Sequence, residues 1–262
     1  MNFSILTLFP EMFDALFNHS IFKRACDKKL IIKKLYQIRD FAHGKHHITD
    51  DTPYGGGSGM VLKPEPLFLA IQKAKNDNPT ALTILLTPQG KTFTQKMAWE
   101  LSQESALILI CGRYEGIDER IALDHIDLEI SIGNFVLTGG EPAAMIVMDA
   151  ISRLIPGVLG ADDSALCDSY SDGLLEHAHY TRPEHFDAHS VPDVLLSGHH
   201  QNINYWRRES ALIRTILKRP ELFNQLSLTS DDLSILQKWT TIIETIIQKQ
   251  SSRGPTSLSG SG

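Results

Sequence analysis

The chain has 262 residues, of which 42% are hydrophobic and 21% charged, values ordinary for a soluble globular protein with one large domain or two modest ones. Its formal net charge of −6 argues against a protein that binds nucleic acid over a broadly basic surface. Three widely spaced cysteines predict neither a disulfide framework nor a zinc ribbon, and the lack of a leader or a membrane-spanning run predicts a cytoplasmic protein.

Strand and helix patterns alternate along residues 1–160. Five short apolar or alternating runs are typical of strands: 2–9, 30–38, 82–86, 106–110 and 128–132. Four further runs are typical of helices: 11–16, 64–74, 94–101 and 141–154. The last is the clearest, because Ala144, Val147, Met148, Ile151 and Leu154 fall on one helical face. This alternation predicts an α/β fold with a mostly parallel sheet.

A glycine-rich loop separates the second predicted strand from the next helix. Segment 50–60 has glycine at four of five positions between 55 and 59, which cannot pack a core, so it is predicted to be a mobile loop of functional importance. Three histidines precede it, at 43, 46 and 47, but no cysteine or carboxylate at suitable spacing accompanies them. The sequence therefore predicts no metal site there.

Three glycine-bearing loops carry most of the functional information. They follow consecutive predicted strands and span 87–90 (TPQG), 111–116 (CGRYEG) and 132–140 (IGNFVLTGG). Ligands of parallel sheets sit beyond the carboxyl ends of the strands, and glycine allows close approach of the backbone. The dinucleotide and triphosphate glycine motifs are both absent from the sequence. The loops therefore favour a nucleoside without phosphates, with ordinary strand-to-helix turns as the alternative.

Composition changes after residue 160. Segment 161–176 is acidic, has no Lys or Arg, and is typical of a flexible linker. Helical patterns at 203–217, 232–239 and 241–249 predict a small, mainly helical domain over 177–250, and 251–262 is predicted to be a disordered tail. Basic clusters at 23–34 and 207–219 leave a local contact with nucleic acid open, although a solvated face is the better explanation for each cluster taken alone.

Seven motifs in unbroken order resemble one family. They are 54–60 (YGGGSGM), 88–90 (PQG), 111–120 (CGRYEGIDER), 131–141 (SIGNFVLTGGE), 156–160 (PGVLG), 179–183 (HYTRP) and 196–200 (LSGHH). Together they resemble the bacterial tRNA (guanine-N1)-methyltransferases (TrmD) of the SPOUT class. The resemblance implies a deep trefoil knot in the α/β domain 1–160, an exception to the rule that chains do not thread their own loops.

The resemblance also implies which residues hold the cofactor, S-adenosyl-L-methionine. They come from the three glycine-bearing loops: Leu86, Thr87, Pro88, Gln89, Gly90, Gly112, Tyr114, Glu115, Gly116, Ile132, Gly133, Asn134, Phe135, Val136, Leu137, Gly139 and Gly140. It further implies Mg²⁺, for which the sequence names no ligands.

The catalytic pair implied by the resemblance is Asp168 and Arg153. Asp168 is expected to remove the proton from guanine N1, and Arg153 to stabilise the charge that develops on O6. The partners implied are the anticodon arm of tRNA and a second copy of the chain, in a homodimer with the active site at the subunit interface. Charge and motif position add Arg182, Arg207 and Arg208 as expected phosphate contacts.

Two alternatives remain open at this point. A non-catalytic RNA-binding protein could keep the loops and lose the reaction, and an unrelated enzyme could use another nucleotide cofactor in an open α/β sheet. Binding of S-adenosylmethionine, but not of NAD or ATP, would separate the second alternative from the expected methyltransferase.

Overall fold

The computed structural model divides the chain into two compact units, Met1–Ala165 and Leu166–Gly262. The structure describes residues 1–160 and 168–251, so the first seven residues of the predicted linker and the predicted tail from 252 onward lie outside the described residues. Within the described part, no helix is long and apolar enough to cross a membrane.

The first unit is built on a five-stranded sheet in which every pair of neighbours is parallel. In spatial order the strands are β2 (Ile32–Gln37), β1 (Asn2–Thr7), β6 (Ala106–Cys111), β5 (Leu82–Thr92) and β7 (Leu128–Ser131). A two-stranded antiparallel pair, β3 (Asp50–Asp51) and β4 (Val61–Leu62), flanks the glycine-rich loop. The predicted α/β fold with a mostly parallel sheet is confirmed.

Helices cover both faces of the sheet. They are α1 (Asp14–Asn18), α2 (Ser20–Asp27), α3 (Pro64–Asp77), α4 (Gln95–Ser102), α5 (Glu119–His125) and α6 (Glu141–Ser152), with 3₁₀ turns at Pro10–Phe13 and Ile38–Phe41. Residues of β6 alternate between two hydrophobic clusters. Leu107 and Leu109 pack with α1, α2, α4 and α6, whereas Ile108 and Ile110 pack with α3 and α5. All six residues of β6 are buried for this reason.

Helix α6 occupies the predicted position beside the sheet. Ala144, Val147, Met148 and Ile151 are fully buried in one cluster, and Leu154 packs against the same cluster just beyond the helix end. The structure ends the helix at Ser152 rather than at the predicted residue 154. Pro in the first turn costs no hydrogen bond, because the first amides of a helix have no partner inside it.

Two predicted elements differ in extent by more than a few residues. Strand β5 resumes pairing with β7 at Lys91, because Leu86 and Lys91 both pair with Ile130 around an intervening irregularity. In the second unit, the helices predicted at 232–239 and 241–249 form one helix, α9 (Ser230–Ser251). Thr240 and Thr241 lie inside it, and their hydroxyls donate to the carbonyls of Leu236 and Gln237, four residues earlier.

The second unit contains a hairpin of β8 (His185–Phe186) and β9 (His189–Ser190), short α7 (Asp193–Leu196), α8 (His200–Lys218), a 3₁₀ turn at Pro220–Gln225, and α9. Leu174, Leu212 and Ile235 form its small core. Residues 168–176, which the sequence assigned to the linker, take part in this unit, since Leu174 is 2% exposed and the amide of Leu175 donates to Thr215 Oγ1 on α8 at 2.9 Å.

Candidate functional site

A cavity of about 410 Å³ lies beyond the carboxyl ends of β5, β6 and β7. The three glycine-bearing loops line it, together with the ends of the strands and the start of α6. Of the residues expected to hold a cofactor, those that line the cavity are Leu86, Thr87, Pro88, Gln89, Gly112, Tyr114, Glu115, Gly116, Ile132, Gly133, Phe135, Val136, Leu137, Gly139 and Gly140. Gly90 and Asn134 do not line it.

The first loop is a four-residue excursion from β5. It leaves the sheet after Leu86 and rejoins it at Lys91, while the amide of Gln89 donates to Thr87 Oγ1 at 3.3 Å. Gly90 lies so close to β7 that a Cβ there would be 2.4 Å from the backbone carbonyl carbon of Glu129. Gly90 thus shapes the loop by its packing against β7, although its own atoms do not face the cavity.

The second loop follows β6 and contacts the glycine-rich loop. Tyr114 has φ of +61° and Gly116 has φ of +139°, and the Glu115 amide donates to the carbonyl of Met60 at 3.0 Å. A Cβ at Gly59 would lie 2.4 Å from Glu115 Oε1, so glycine at 59 makes room for that carboxylate. The otherwise exposed segment before β4 therefore helps to fix the second loop.

The third loop is joined to the second where α6 begins. The Gly140 amide donates to the carbonyl of Gly112 at 2.8 Å. A Cβ at Gly140 would lie 2.8 Å from Cys111 Cα and 3.0 Å from the Gly112 nitrogen, both backbone atoms that cannot move aside. Glycine at 140 allows this contact between the start of α6 and the end of β6.

A buried ion pair lies beneath the loops. Glu141, in the first turn of α6, is fully buried and accepts hydrogen bonds from Arg113 Nε at 3.0 Å and Thr7 Oγ1 at 2.8 Å. The Arg113 guanidinium also lies 4.4 Å from the ring centre of Phe9 and donates weakly to the carbonyl of Thr138 at 3.4 Å. The cluster ties the end of β1 to the second and third loops, and the sequence motifs did not predict it.

Charge inside the cavity disfavours phosphate. Arg113 is the one cation among the described residues that line it, and Glu141 neutralises that charge. Glu115, Glu119 and Glu129 also line the cavity and add negative charge. Burial raises the pKa of the Cys111 thiol well above its ordinary value, and nearby Glu141 raises it further, so this thiol is not a nucleophile. The site therefore suits a neutral or positively charged nucleoside.

The two expected catalytic residues lie in different units. Arg153 directly follows α6, is half-buried, and donates its amide to the carbonyl of Asp149 at 3.3 Å. Asp168 is the first described residue of the second unit and is also half-buried, with its carbonyl accepting from the Ser171 amide at 3.2 Å.

The expected phosphate contacts differ in what surrounds them. Arg182 and Arg207 are exposed. Arg208 on α8 instead forms a bidentate ion pair with Asp232 on α9, in which Nε donates to Oδ1 at 2.6 Å and Nη2 donates to Oδ2 at 2.9 Å. It also forms an ion pair with Asp172. Two carboxylates cancel its attraction for phosphate and hold it between the helices. Arg208 is thus explained as a residue that joins α8 to α9, and the expected phosphate contact is not supported.

A family model described as tRNA (Guanine-1)-methyltransferase TrmD matches residues 1–225. The chain belongs to this family. Similar proteins carry the name tRNA (guanine-N(1)-)-methyltransferase. One from Geotalea uraniireducens is 56% identical over 238 residues, covering 91% of this chain and 96% of its own. One from Dehalococcoides mccartyi (strain ATCC BAA-2266 / KCTC 15142 / 195) is 55% identical over 239 residues, with the same coverage of 91% and 96%. A third, from Desulfatibacillum aliphaticivorans, is 50% identical over 259 residues, or 99% of both chains.

The matched TrmD region contains the described walls of the cavity. The described residues that line it lie between Leu85 and Ala143, inside the first unit and inside the matched residues 1–225. The match also extends over α8 in the second unit. Family membership therefore covers both the cavity and the part of the chain that carries Asp168 and the exposed arginines.

Proposed function

We propose that this protein is an S-adenosylmethionine-dependent tRNA (guanine-N1)-methyltransferase that modifies the guanine at position 37, immediately 3′ of the anticodon. The observation that carries the proposal is the match of residues 1–225 to the TrmD family, within which the three glycine-bearing loops form one cavity. Relatives of 50–56% identity with the name tRNA (guanine-N(1)-)-methyltransferase support the same reaction.

The cavity fits S-adenosylmethionine. Its volume of about 410 Å³ lies within the usual range for sites that hold a small molecule. Glycines at 139 and 140 leave no room for a Cβ, which brings backbone amides and carbonyls to the surface of the cavity where an adenine edge or a ribose can bond to them. When bound, S-adenosylmethionine supplies an activated methyl group on a positively charged sulfur, and the surrounding carboxylates suit that charge.

Asp168 and Arg153 are proposed as the groups that act on guanine. Guanine N1 carries a proton and becomes nucleophilic only when the proton leaves, so a carboxylate within hydrogen-bond reach accelerates the reaction by about 10²–10⁴-fold. Loss of that proton places negative charge on O6. A guanidinium directed at O6 stabilises this charge more in the transition state than in the ground state. No step requires a thiol, in agreement with the raised pKa of buried Cys111.

The route of the chain supports a deep trefoil knot in the first unit. After β7 at one edge of the sheet, the third loop passes back across the ends of β5 and β6, and the Gly140 amide bonds to Gly112. Helix α6 then packs against β6 and β1 in the middle of the sheet. A crossing of this kind is what the proposed knot requires.

Contacts with tRNA are proposed for the second unit. Arg182 and Arg207 are exposed and free of a carboxylate in the described structure, so both suit phosphate oxygens, whereas Arg208 is held by Asp232 and Asp172. We also propose a homodimer with the active site at the subunit interface, as the family resemblance implies. A cytoplasmic location stays a prediction from the sequence.

Mg²⁺ prefers oxygen ligands in an octahedron and usually keeps several waters. Across residues 1–160 and 168–251, the one group of at least three clustered ligand side chains is Glu176, His177 and His179. This group offers two nitrogens and one carboxylate, so it does not suit Mg²⁺. We therefore assign no step to this ion.

The proposal is tested by transfer of labelled methyl from S-adenosylmethionine to unmodified tRNA with guanine at position 37. We expect transfer with the wild type, and none to the same tRNA with adenine at that position. Asp168→Asn should lower the rate by about 10²–10⁴-fold without weakening binding of S-adenosylmethionine.

The matched control is Asp187→Asn. Asp187 lies in the exposed turn of the β8–β9 hairpin with φ of +54°, a conformation that asparagine also adopts, so its rate should match the wild type. Binding of the cofactor without transfer by the wild type would favour the non-catalytic RNA-binding protein. Equal rates for Asp168→Asn and the wild type would rule out Asp168 as the base.

A further inference from the structure

A carboxylate and two imidazoles come together in the second unit. The possible ligand atoms of Glu176, His177 and His179 all lie within 4.8 Å of one another. His179 Nε2 is already 2.9 Å from Glu176 Oε1. Ligand atoms around Zn²⁺ lie roughly 2.0–2.2 Å from the metal, hence about 3.4 Å apart in a tetrahedron, so small side-chain rotations suffice to bring these three onto one ion.

The backbone of this segment is fixed along α8. The Glu176 amide donates to Ser169 Oγ at 3.0 Å, and its carbonyl accepts from Arg214 Nε at 3.2 Å. Two residues on, the Ala178 amide donates to Ser210 Oγ at 3.0 Å. An ion would therefore order little more than three side chains, and a prearranged site loses less entropy on binding.

The imidazoles are arranged as metal ligands usually are. His177 Nδ1 lies 3.0 Å from the carbonyl oxygen of Ala178, and a proton on Nδ1 donated there leaves the lone pair on Nε2 for an ion. Histidine ligands commonly donate the second ring nitrogen to a backbone carbonyl in this way. The ring of His177 also packs edge-on against Trp206 at 6.3 Å, which restrains its rotation.

We propose that Glu176, His177 and His179 form a binding site for a divalent transition metal of the Zn²⁺ type. Imidazole nitrogens select Zn²⁺, Co²⁺, Ni²⁺ or Cu²⁺, whereas Mg²⁺ and Ca²⁺ select oxygen. Three protein ligands leave a fourth position for water or another small ligand. The site lies within a segment held to α8, so a bound ion stabilises the second unit against unfolding.

Titration of the metal-free full-length protein with ZnCl₂, followed by calorimetry, tests the site directly. We expect one ion per chain, and at least tenfold weaker binding by Glu176→Gln, by His177→Gln and by His179→Gln. MgCl₂ at the same concentrations should give no signal. Addition of Co²⁺ should produce a visible absorption band, and His177→Gln should remove it. His179→Gln should remove it too, and because His179 is exposed, loss of fold would not explain that result.

The matched control is His185→Gln. His185 is exposed and lies 3.5 Å from Glu184, but it does not belong to a group of three possible ligands among the described residues. This variant should bind Zn²⁺ as the wild type does. Equal loss in His185→Gln and His179→Gln, or unchanged binding in all three site variants, would show that Zn²⁺ binds elsewhere among the histidines and would overturn the proposal.

Discussion

Single residues determine how the three loops are held together. Glu141 is fully buried yet ionisable, and two donors from distant parts of the chain, Thr7 and Arg113, satisfy it. A buried carboxylate without partners is costly, so each member of this cluster depends on the others. The cluster therefore fixes the second and third loops relative to β1, and with them the walls of the cavity.

Glu141→Gln should lower stability, because it leaves the largely buried Arg113 without a counter-charge. Arg113 is 17% exposed, and removal of one partner from such a pair costs about 2–3 kcal/mol, slightly below the value for fully buried pairs. The midpoint of thermal unfolding, measured by circular dichroism, should fall by roughly 4–12 °C. Glu119→Gln changes an exposed carboxylate at the same cavity and should leave the midpoint unchanged. Equal midpoints for both variants would contradict the role given to Glu141.

Gly140→Ala should weaken binding of S-adenosylmethionine. The added Cβ meets backbone atoms of Cys111 and Gly112 at 2.8–3.0 Å, so the start of α6 must move away from the second loop. We expect the dissociation constant, measured by calorimetry, to rise at least about tenfold, or 1.4 kcal/mol. Gly160→Ala is the control, because a Cβ at Gly160 meets nothing within 4 Å. Unchanged affinity in Gly140→Ala would show that binding of S-adenosylmethionine does not depend on the contact of Gly140 with Cys111 and Gly112.

The sequence predicted the glycines of the site but not the ion pair of Arg113 with Glu141. Glycine reports locally that the backbone approaches something closely, and Gly112, Gly139 and Gly140 all line the cavity. Arg113 and Glu141 are 28 residues apart, and nothing in either local pattern indicates that they meet. A glutamate directly after two glycines at the start of an apolar helix was the available signal. Its burial is decided by tertiary contacts alone.

At the scale of secondary structure, two ion pairs among the described residues join α8 and α9: Arg208 with Asp232, and Lys238 with Glu209. Asp232 is 1% exposed, pairs with Arg208, and also caps its own helix. Its carboxylate accepts the Thr229 amide at 3.0 Å, while the Asp232 amide donates to Thr229 Oγ1 at 3.2 Å. This reciprocal arrangement is a capping box, and it explains why α9 begins at Ser230.

Asp232→Asn should loosen both helices of the second unit. Loss of the carboxylate leaves Arg208 with Asp172 alone and costs about 2 kcal/mol, less than for a fully buried pair because the Arg208 side chain is 35% exposed. Hydrogen exchange measured by mass spectrometry should become about 30-fold faster in peptides from α8 and α9 and stay unchanged in β6. Asp231→Asn alters the exposed neighbour and should leave α8 unchanged. Equal exchange in the two variants would show that the Arg208–Asp232 pair does not hold α8 and α9 together.

The same pair predicts a pH dependence. The hydrogen bonds from Arg208 lower the pKa of the Asp232 carboxyl far below its ordinary value. The folded state therefore binds fewer protons than the unfolded state, so the stabilisation is fully present above about pH 5 and is lost as the pH falls through 4 and below. The difference in thermal midpoint between wild type and Asp232→Asn should shrink between pH 6 and pH 3. A constant difference would contradict this assignment.

Element boundaries were predictable only where local chemistry sets them. Thr94 caps α4 through its own side chain, and the predicted helix begins at this residue. The return of β5 at Lys91 depends instead on pairing with β7, which lies far away in the chain. Helix α9 likewise continues through Thr240 and Thr241, where the sequence predicts two separate helices.

At the scale of the whole molecule, the described residues that line the cavity come from the first unit. They all lie between Leu85 and Ala143. Alternation of strands and helices predicted the parallel sheet. It could not predict the spatial order of the strands, because that order depends on contacts between residues far apart in the chain.

The full-length protein should bind S-adenosylmethionine without tRNA, since the three glycine-bearing loops already form the cavity. NAD and ATP should not bind, because Glu141 neutralises Arg113 and three further carboxylates line the cavity, where they would repel phosphates. Calorimetry at equal ligand concentrations checks both expectations. Tight binding of ATP would revive the alternative of an unrelated nucleotide-dependent enzyme, and no binding of any of the three would mean that tRNA must complete the site.

The position of β1 between β2 and β6 has a consequence for synthesis on the ribosome. Strand β1 leaves the ribosome well before one of its two neighbours, β6, which begins at Ala106. At about 5–20 residues per second, roughly 5–20 s separate the two strands, and during that time one edge of β1 has no partner. Nascent chains arrested before β6 should be cut readily by protease within β1, and longer ones should resist. The unpaired edge of β1 in the nascent chain is therefore open to aggregation and proteolysis until β6 has been synthesised.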